Sequence, residues 1–447
     1  MIKTKKLPLF LCAVIFSLHA VGQDKWDLRR CVEYAIGNNI SIKQADIDSR
    51  TSKLTFEQSK WNQFGNISFN SGLGLTFGRS IDRTTNIYVN TQSLFQQYNL
   101  NAGISLFNWF SLRRAAESNK FSYEAQVVNV DKIKNDVTLN VAAAYLQALL
   151  SREQVSLART KLALTLEQLG NTRKLVDAGS LPELNAAELE VQFATDTSAV
   201  ISAQETYDIN NLQLKAILNL DVAAAFDLDT PPVETIPVEP ITNLQPDIVY
   251  AVAVGTFPQQ KMNDLRISAA QKNVDYAKGL LYPSISLFAG LGDNFANSLQ
   301  PWNKVFNGYG NQLSNNFGQN VGLQLNVPIF NGNQSRTNFN KAKLNVISAR
   351  LTKENDLLSL KQSIYQAYYN AVASLQKYNA NQKAVTVAER SFDLSTKRYN
   401  IGMLNTIDYL TNQNNLFSAR INALIAHYDY VFRMKVLEYY KGLGIKL

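Results

Sequence analysis

Cysteine and histidine are nearly missing from this chain, with two of each among 447 residues. Cys12 and His19 fall in the N-terminal segment, which leaves Cys31 and His427 without a like partner. That shortage excludes a disulfide framework, a thiolate cluster and a histidine-based metal or triad site. The chain also lacks a G-x-S-x-G elbow, a P-loop and a dinucleotide fingerprint. Gly72-Leu73-Gly74 followed by Gly78 resembles part of a phosphate loop, but it sits inside an alternating stretch and not ahead of a helix. The expectation is a chain that is no enzyme and takes no cofactor, with no catalytic and no metal-binding residues.

Charge of one sign is not concentrated either. The formal net charge is +8. Lys3, Lys5 and Lys6 lie in a segment expected to be removed, and subtracting them leaves +5. The other basic residues stand among acids, so nucleic acid is not an expected partner.

Glycine and proline are absent where their absence says most. From Asn333 to Ile401 there is neither, and from Ser111 to Ala178 only Gly170. Runs of that length read as single helices, each spanning roughly 100 Å at 1.5 Å of rise per residue. Sliding the first run onto the second brings Tyr145 onto Tyr368, Gly179 onto Gly402, Leu181 onto Leu404 and Tyr207 onto Tyr430. The chain is an internal duplication.

In order, residues 1–22 have a basic start, an apolar stretch from Leu7 to Leu18 and small residues before Gln23, as a secretory signal peptide does. Leu11 before Cys12 argues against a lipid anchor there. The first repeat, residues 23–226, opens with helices from Trp26 to about Lys60, broken at Gly37-Asn38-Asn39. Two strands follow, at about 66–78 and 94–107, separated by a polar loop from Arg79 to Ser93. The long helix 111–178 then turns at Gly179, and a return helix 183–220 starts from a Ser180–Glu183 capping box with Pro182 in its first turn. A Pro-rich linker, 227–246, joins the halves. The second repeat, 247–447, has a helix from Ile248 to Lys278, strands at about 284–292 and 317–328 around an Asn- and Gly-rich loop, a long helix 333–401 and a return helix 405–441. Asn405 and Asp408 serve that last helix as cap and third helical residue.

The strands alternate apolar residues with Ser, Asn, Gly and Thr, and no charged residue occurs from Leu94 to Asn108. Strands of about ten residues have the length of tilted membrane-crossing strands. A soluble sandwich normally carries Lys, Glu or Arg on its outer face, whereas this polar face suits a water-filled lumen. Trp61, Phe64, Trp109, Phe110, Tyr282, Trp302 and Phe330 cluster near strand ends, where interfacial belts lie. Four strands are too few to close a barrel, and open sheet edges do not survive in lipid. The strands are therefore expected to be pooled among copies, and the tube to continue below the membrane as helices. The fold class is mostly α with a transmembrane β-barrel contribution.

At this point the sequence resembles the TolC family of outer-membrane efflux proteins, across essentially the whole mature chain. The resemblance is carried by the twofold repeat, Pro328-Ile329-Phe330-Asn331-Gly332, Ala367-Tyr368 and Arg398-Tyr399-Asn400-Ile401-Gly402-Met403-Leu404. Weaker copies stand at Leu106-Phe107-Asn108-Trp109 and Leu175-Val176-Asp177-Ala178-Gly179-Ser180-Leu181. It implies a homotrimer whose pooled strands make a twelve-stranded barrel in outer-membrane lipid, continued by a periplasmic α-helical tunnel. It further implies that hairpin tips dock a periplasmic adaptor (membrane fusion) protein and, through it, an inner-membrane pump. The candidate docking residues are Gly179, Ser180, Leu181, Gly402, Met403 and Leu404. Glu389 and Asp393, one helical turn apart, are candidates for an acidic ring at the periplasmic gate. The competing reading is a secreted coiled-coil structural or adhesive protein without a pore.

Overall fold

The computed structural model describes residues 25–81, 86–299 and 308–443. The expected signal peptide, Trp302 and Lys304 lie outside the described residues. The elements are α1 (Leu28–Asn38), α2 (Ile40–Trp61), β1 (Asn66–Ile81), β2 (Tyr88–Phe107), α3 (Ser111–Asp177) and α4 (Glu183–Leu218), followed by α5 (Pro246–Thr256), α6 (Pro258–Gly279), β3 (Ser284–Ser298), α7 (Tyr309–Asn316), β4 (Gly318–Asn326), α8 (Gln334–Asn400) and α9 (Thr406–Tyr440). Each half thus runs helices, two strands, a long helix and a return helix. The two long helices have 67 residues each.

Four local readings differ from the sequence expectation. Asn39 ends α1 in an extended conformation and caps α2 by accepting a hydrogen bond from the Ser41 amide. The expected helix from Ile248 to Lys278 is two helices, because Pro258 forces Phe257 into the extended region and itself becomes the first residue of α6. The Ser180–Glu183 capping box does not form. Pro182 is the N-cap of α4, and the Ser180 amide is spent on the Leu175 carbonyl. Finally, most of the loop expected from Arg79 to Ser93 is strand, β1 and β2 staying paired from Asn66/Gly103 out to Ile81/Tyr88. A ladder pairs backbones, so it continues through polar side chains once the register is set. β3 likewise runs past Gly292 to Ser298, and α7 stands inside the Asn- and Gly-rich loop.

The sheet is antiparallel throughout, in the order β1-β2-β3-β4. Its register puts Ile67, Ala102, Ala289 and Val321 in one row and Phe69, Leu100 and Leu291 in the next, forming a continuous apolar face. The opposite face carries Asn70, Asn99, Asn101, Gly290 and Asn320. On it the Phe95 ring covers Gly74 and the Phe288 ring covers Gly322, so a side chain at either glycine would have to displace that ring.

At each strand-to-helix junction two successive residues take left-handed backbone: Trp109 and Phe110 before α3, Gly332 and Asn333 before α8. Trp109 is held there by its indole N–H, which donates to the Pro283 carbonyl at 2.9 Å, and by stacking on Tyr282. Gly65, at φ +84°, makes the turn from α2 into β1 against the Gly103 carbonyl, where a Cβ would collide with backbone. Gly65→Ala is expected to cost at least about 1–3 kcal/mol from backbone strain alone. Thermal unfolding checks it, with Gly37→Ala inside α1 as the control that should not destabilise, since a Cβ there meets nothing.

Below the sheet the helices form one layer in the order α2-α3-α6-α8. Further down, α3 pairs with α4, α8 with α9, and α9 lies against α3. The linker is packed, not loose: Leu228, Val233 and Ile236 enter a core with Tyr145 and Leu214, and Leu244 enters a second with Ile364 and Met434. The repeat-related tyrosines do similar work. Tyr145 donates to the Asp229 carbonyl at 2.8 Å, and Tyr368 accepts from Gln245 Nε2 at 3.3 Å.

Glu117 clips α3 to α6. Its carboxylate meets Lys272 Nζ and Arg114 Nη1, each at 2.8 Å. The Lys272 bond, aided by Arg114 and opposed by burial, holds the carboxyl at about 2 against an ordinary 4.5. A carboxyl lowered on folding stabilises fully above its ordinary value and loses that contribution as pH falls through the folded one. Acid is therefore expected to loosen the α3–α6 contact between about pH 4.5 and 2. Amide exchange along α6 checks this, and Glu117→Gln should abolish the pH dependence.

Candidate docking surface and gate at the hairpin tips

Both hairpins end in the same backbone device. The Gly179 amide donates to Val176 and the Ser180 amide to Leu175, while the Gly402 amide donates to Tyr399 and the Met403 amide to Arg398. These are paired Schellman closures, with Gly179 at φ +71° and Gly402 at φ +75° supplying the left-handed residue. The Asn405 side chain accepts from the Asp408 amide at 2.7 Å and starts α9 as its spacing predicts.

The two tips lie side by side and enclose a groove of about 730 Å³, lined by Leu175, Ser180 and Leu181 from one and Gly402, Met403 and Leu404 from the other. Five of the six candidate docking residues thus line one groove, and Gly179 stands beside them at the turn. The two leucines are half-buried, however, and Leu404 packs against a core of Leu169, Leu189, Tyr399, Tyr409 and Leu410. Apolar side chains left open at the tips include Leu175, Leu184, Ile401, Met403 and Ile407.

Glu389 and Asp393 are each paired with a cation. Glu389 accepts from Arg420 of α9 at 2.8 Å, and Asp393 from Lys397 at 2.7 Å on its own helix. His427 is packed, stacked on Tyr378 at 4.3 Å, and burial pushes its pKa down. Among the described residues no group of three or more His, Cys, Asp or Glu comes together, and no helix is long and apolar enough to cross a membrane.

A polar cluster unmarked in the sequence reading ties the hairpins together just above the tips. Asp196 of α4 is 1% exposed. It meets Lys161 Nζ at 2.8 Å and accepts from Thr165 at 2.7 Å and Gln192 at 2.8 Å. Gln413 of α9 donates to the same Thr165 hydroxyl at 3.2 Å, and Asn414 donates to Gln192 at 3.3 Å. Two turns lower, the Tyr399 hydroxyl sits 3.3 Å from both Thr172 and Thr406, with its ring stacked on Tyr409. The signal for Asp196 was available: it continues the inward spacing of Ala186, Leu189 and Phe193, where an acid needs a partner.

A profile of the family described as outer membrane efflux protein matches residues 69–220 and 258–437. The outer membrane efflux protein BepC of Brucella suis is 24% identical over 73% of this chain and 67% of its own length. The alkaline protease secretion protein AprF of Pseudomonas aeruginosa is 21% identical over 81% of this chain and 71% of its own. The crystal structure of CusC superposes with a TM-score of 0.76 at 17% identity, covering 94% of this chain and 92% of that one. The reading as a secreted coiled-coil adhesive protein has no support in these matches. Its strands, long helices and matched span together place this chain in the family of outer membrane efflux proteins, channels of the outer membrane.

Proposed function

We propose that this protein is the passive exit duct of a tripartite efflux or type I secretion system, built as a homotrimer. The observation that carries the reading is the four-stranded sheet, apolar on one face and rich in Asn and Gly on the other, with β1 and β4 as unpaired edges. In lipid every backbone group must find a partner, so such a sheet needs sheets from other copies. Pooling three copies gives twelve strands, within the range of known bacterial barrels. The 67-residue helices would carry the bore about 100 Å into the periplasm.

At the far end the tips present Leu184, Ile401, Met403 and Ile407 beside the groove, a surface suited to the helical hairpin of a periplasmic adaptor. The adaptor links the duct to an inner-membrane pump, which supplies the energy. Relatives named for efflux and for protease secretion both support a conduit without a cargo pocket of its own. Glu389 and Asp393 remain the candidate acidic ring, and it forms only if their pairs with Arg420 and Lys397 open.

Planar-bilayer recording of detergent-extracted protein tests the proposal. Discrete, long-lived conductance steps are expected; protein that enters bilayers without conducting in any state contradicts the duct.

A further inference from the structure

Where α9 ends and α6 begins, a cavity of about 320 Å³ opens between four helices of one chain, α3, α6, α8 and α9. The break at Pro258 shapes it. Phe257, extended ahead of that proline, sets its ring against Tyr439 at 5.4 Å and Tyr440 at 5.6 Å, and the three rings form an apolar wall. The rest of the lining is polar.

Two glutamines of that lining have polar atoms that nothing meets. Gln260 is 4% exposed, and among the described residues neither its Oε1 nor its Nε2 has a hydrogen-bond partner. Gln259 Nε2 donates to Asp356 Oδ2 at 2.7 Å, and Asn263 Nδ2 donates to the same oxygen at 2.8 Å. A carboxylate only accepts, so the Gln259 amide is fixed in that sense and its buried Oε1 is left without a donor. Buried polar atoms in native proteins are nearly always paired, so these await a ligand rich in N–H or O–H groups.

Charge narrows the choice. Lys132 is the basic residue of the lining, and it is already spent on Asp136 at 2.7 Å. Asp356 receives neutral amides, so the site is left with a net negative charge. The α6 N-terminus would favour an anion, but the C-terminal turn of α9 lines the same cavity and offsets it.

We infer that this cavity binds a small organic ammonium ion, a primary amine on an apolar or aromatic body. The ammonium brings three donors and no acceptor, which suits Gln259 Oε1, Gln260 Oε1 and the Asp356 carboxylate. The body lies on the rings of Phe257, Tyr439 and Tyr440, whose faces also attract a cation. A ligand held there fastens the ends of α6 and α9 to α3 and α8. Its role is to brace this junction, and it selects no cargo. Every wall belongs to one chain, so the inference goes beyond the proposed duct and does not depend on the number of copies.

The test uses the full-length protein in detergent and 2-phenylethylammonium as the probe, with 2-phenylethanol and phenylacetate as neutral and anionic counterparts of the same body. Equilibrium dialysis should show one saturable site per chain for the ammonium, and binding of both counterparts weaker by at least about tenfold, the loss expected for hydrogen bonds to a charged group. Gln260→Met keeps the side chain's size and removes an unpaired amide, so the variant should melt no lower than the native protein yet bind the ammonium at least about tenfold more weakly. Asp356→Asn should weaken binding by a similar factor. In the native protein the ammonium should also slow amide exchange in the first turn of α6 and the last turn of α9. No saturable site, equal binding of the three probes, or undiminished binding by either variant would overturn the inference. None of these results bears on the conductance expected of the duct, so the two readings fail separately.

Discussion

Replacing Asp196 by alanine is expected to loosen the tip end of the helical hairpins more than any other single change there. The carboxylate is buried and joins Lys161, Thr165 and Gln192, and through Thr165 it reaches Gln413 of α9. Removing one partner of a buried pair typically costs about 3–5 kcal/mol, because the remaining charge stays in a poor solvent. Lys161 is 18% exposed, so the loss should lie at the lower end. Amide exchange should rise in α3 and α4 around these residues, and mean bilayer conductance should increase as the hairpins separate. Asp196→Asn keeps an acceptor for Thr165 and should show a weaker effect on both. Unchanged exchange and conductance in the alanine variant would remove the latch from the account.

The second large effect is expected where the linker meets α9. Lys435 and Glu438 form an ion pair at 2.9 Å with side chains 3% and 8% exposed. Lys435 also donates to the Pro237 carbonyl, and Glu438 accepts the Glu239 amide at 2.7 Å. Lys435→Met leaves Glu438 buried beside an apolar chain and should destabilise the protein by about 3–5 kcal/mol. Lys435→Met with Glu438→Leu removes both charges and should recover part of the loss, since buried pairs exchange for apolar residues at little cost. Recovery stays incomplete because the Glu239 amide loses its acceptor. Thermal unfolding of the two variants side by side decides it; a double variant no better than the single would mean that the stranded Glu438 charge is not the source of the loss.

Much of this architecture was legible because it depends on local rules. The long helices followed from runs without glycine or proline, and their ends from Gly179 and Gly402, which the left-handed closures require. Misreadings arose where a neighbouring group took the bond that a motif needed. Glu183 could not bond back to the Ser180 amide once that amide closed α3, and Pro258 broke a helix that apolar spacing alone would have continued. The strands outran their apolar residues because pairing partners, not side chains, set strand length. At the tips the six candidate residues do converge, but side-by-side packing half-buries Leu181 and Leu404 and leaves Met403 and Ile401 open. No sequence spacing within one hairpin encodes that, since the groove belongs to two hairpins.

The central claim is that a sheet too small to close by itself completes a pore with copies of the same chain. Native mass spectrometry of the complex released from outer membranes in mild detergent tests this most directly. The account predicts a species of three chains that withstands dilution; a population of single chains, stable and monodisperse under the same conditions, would contradict it.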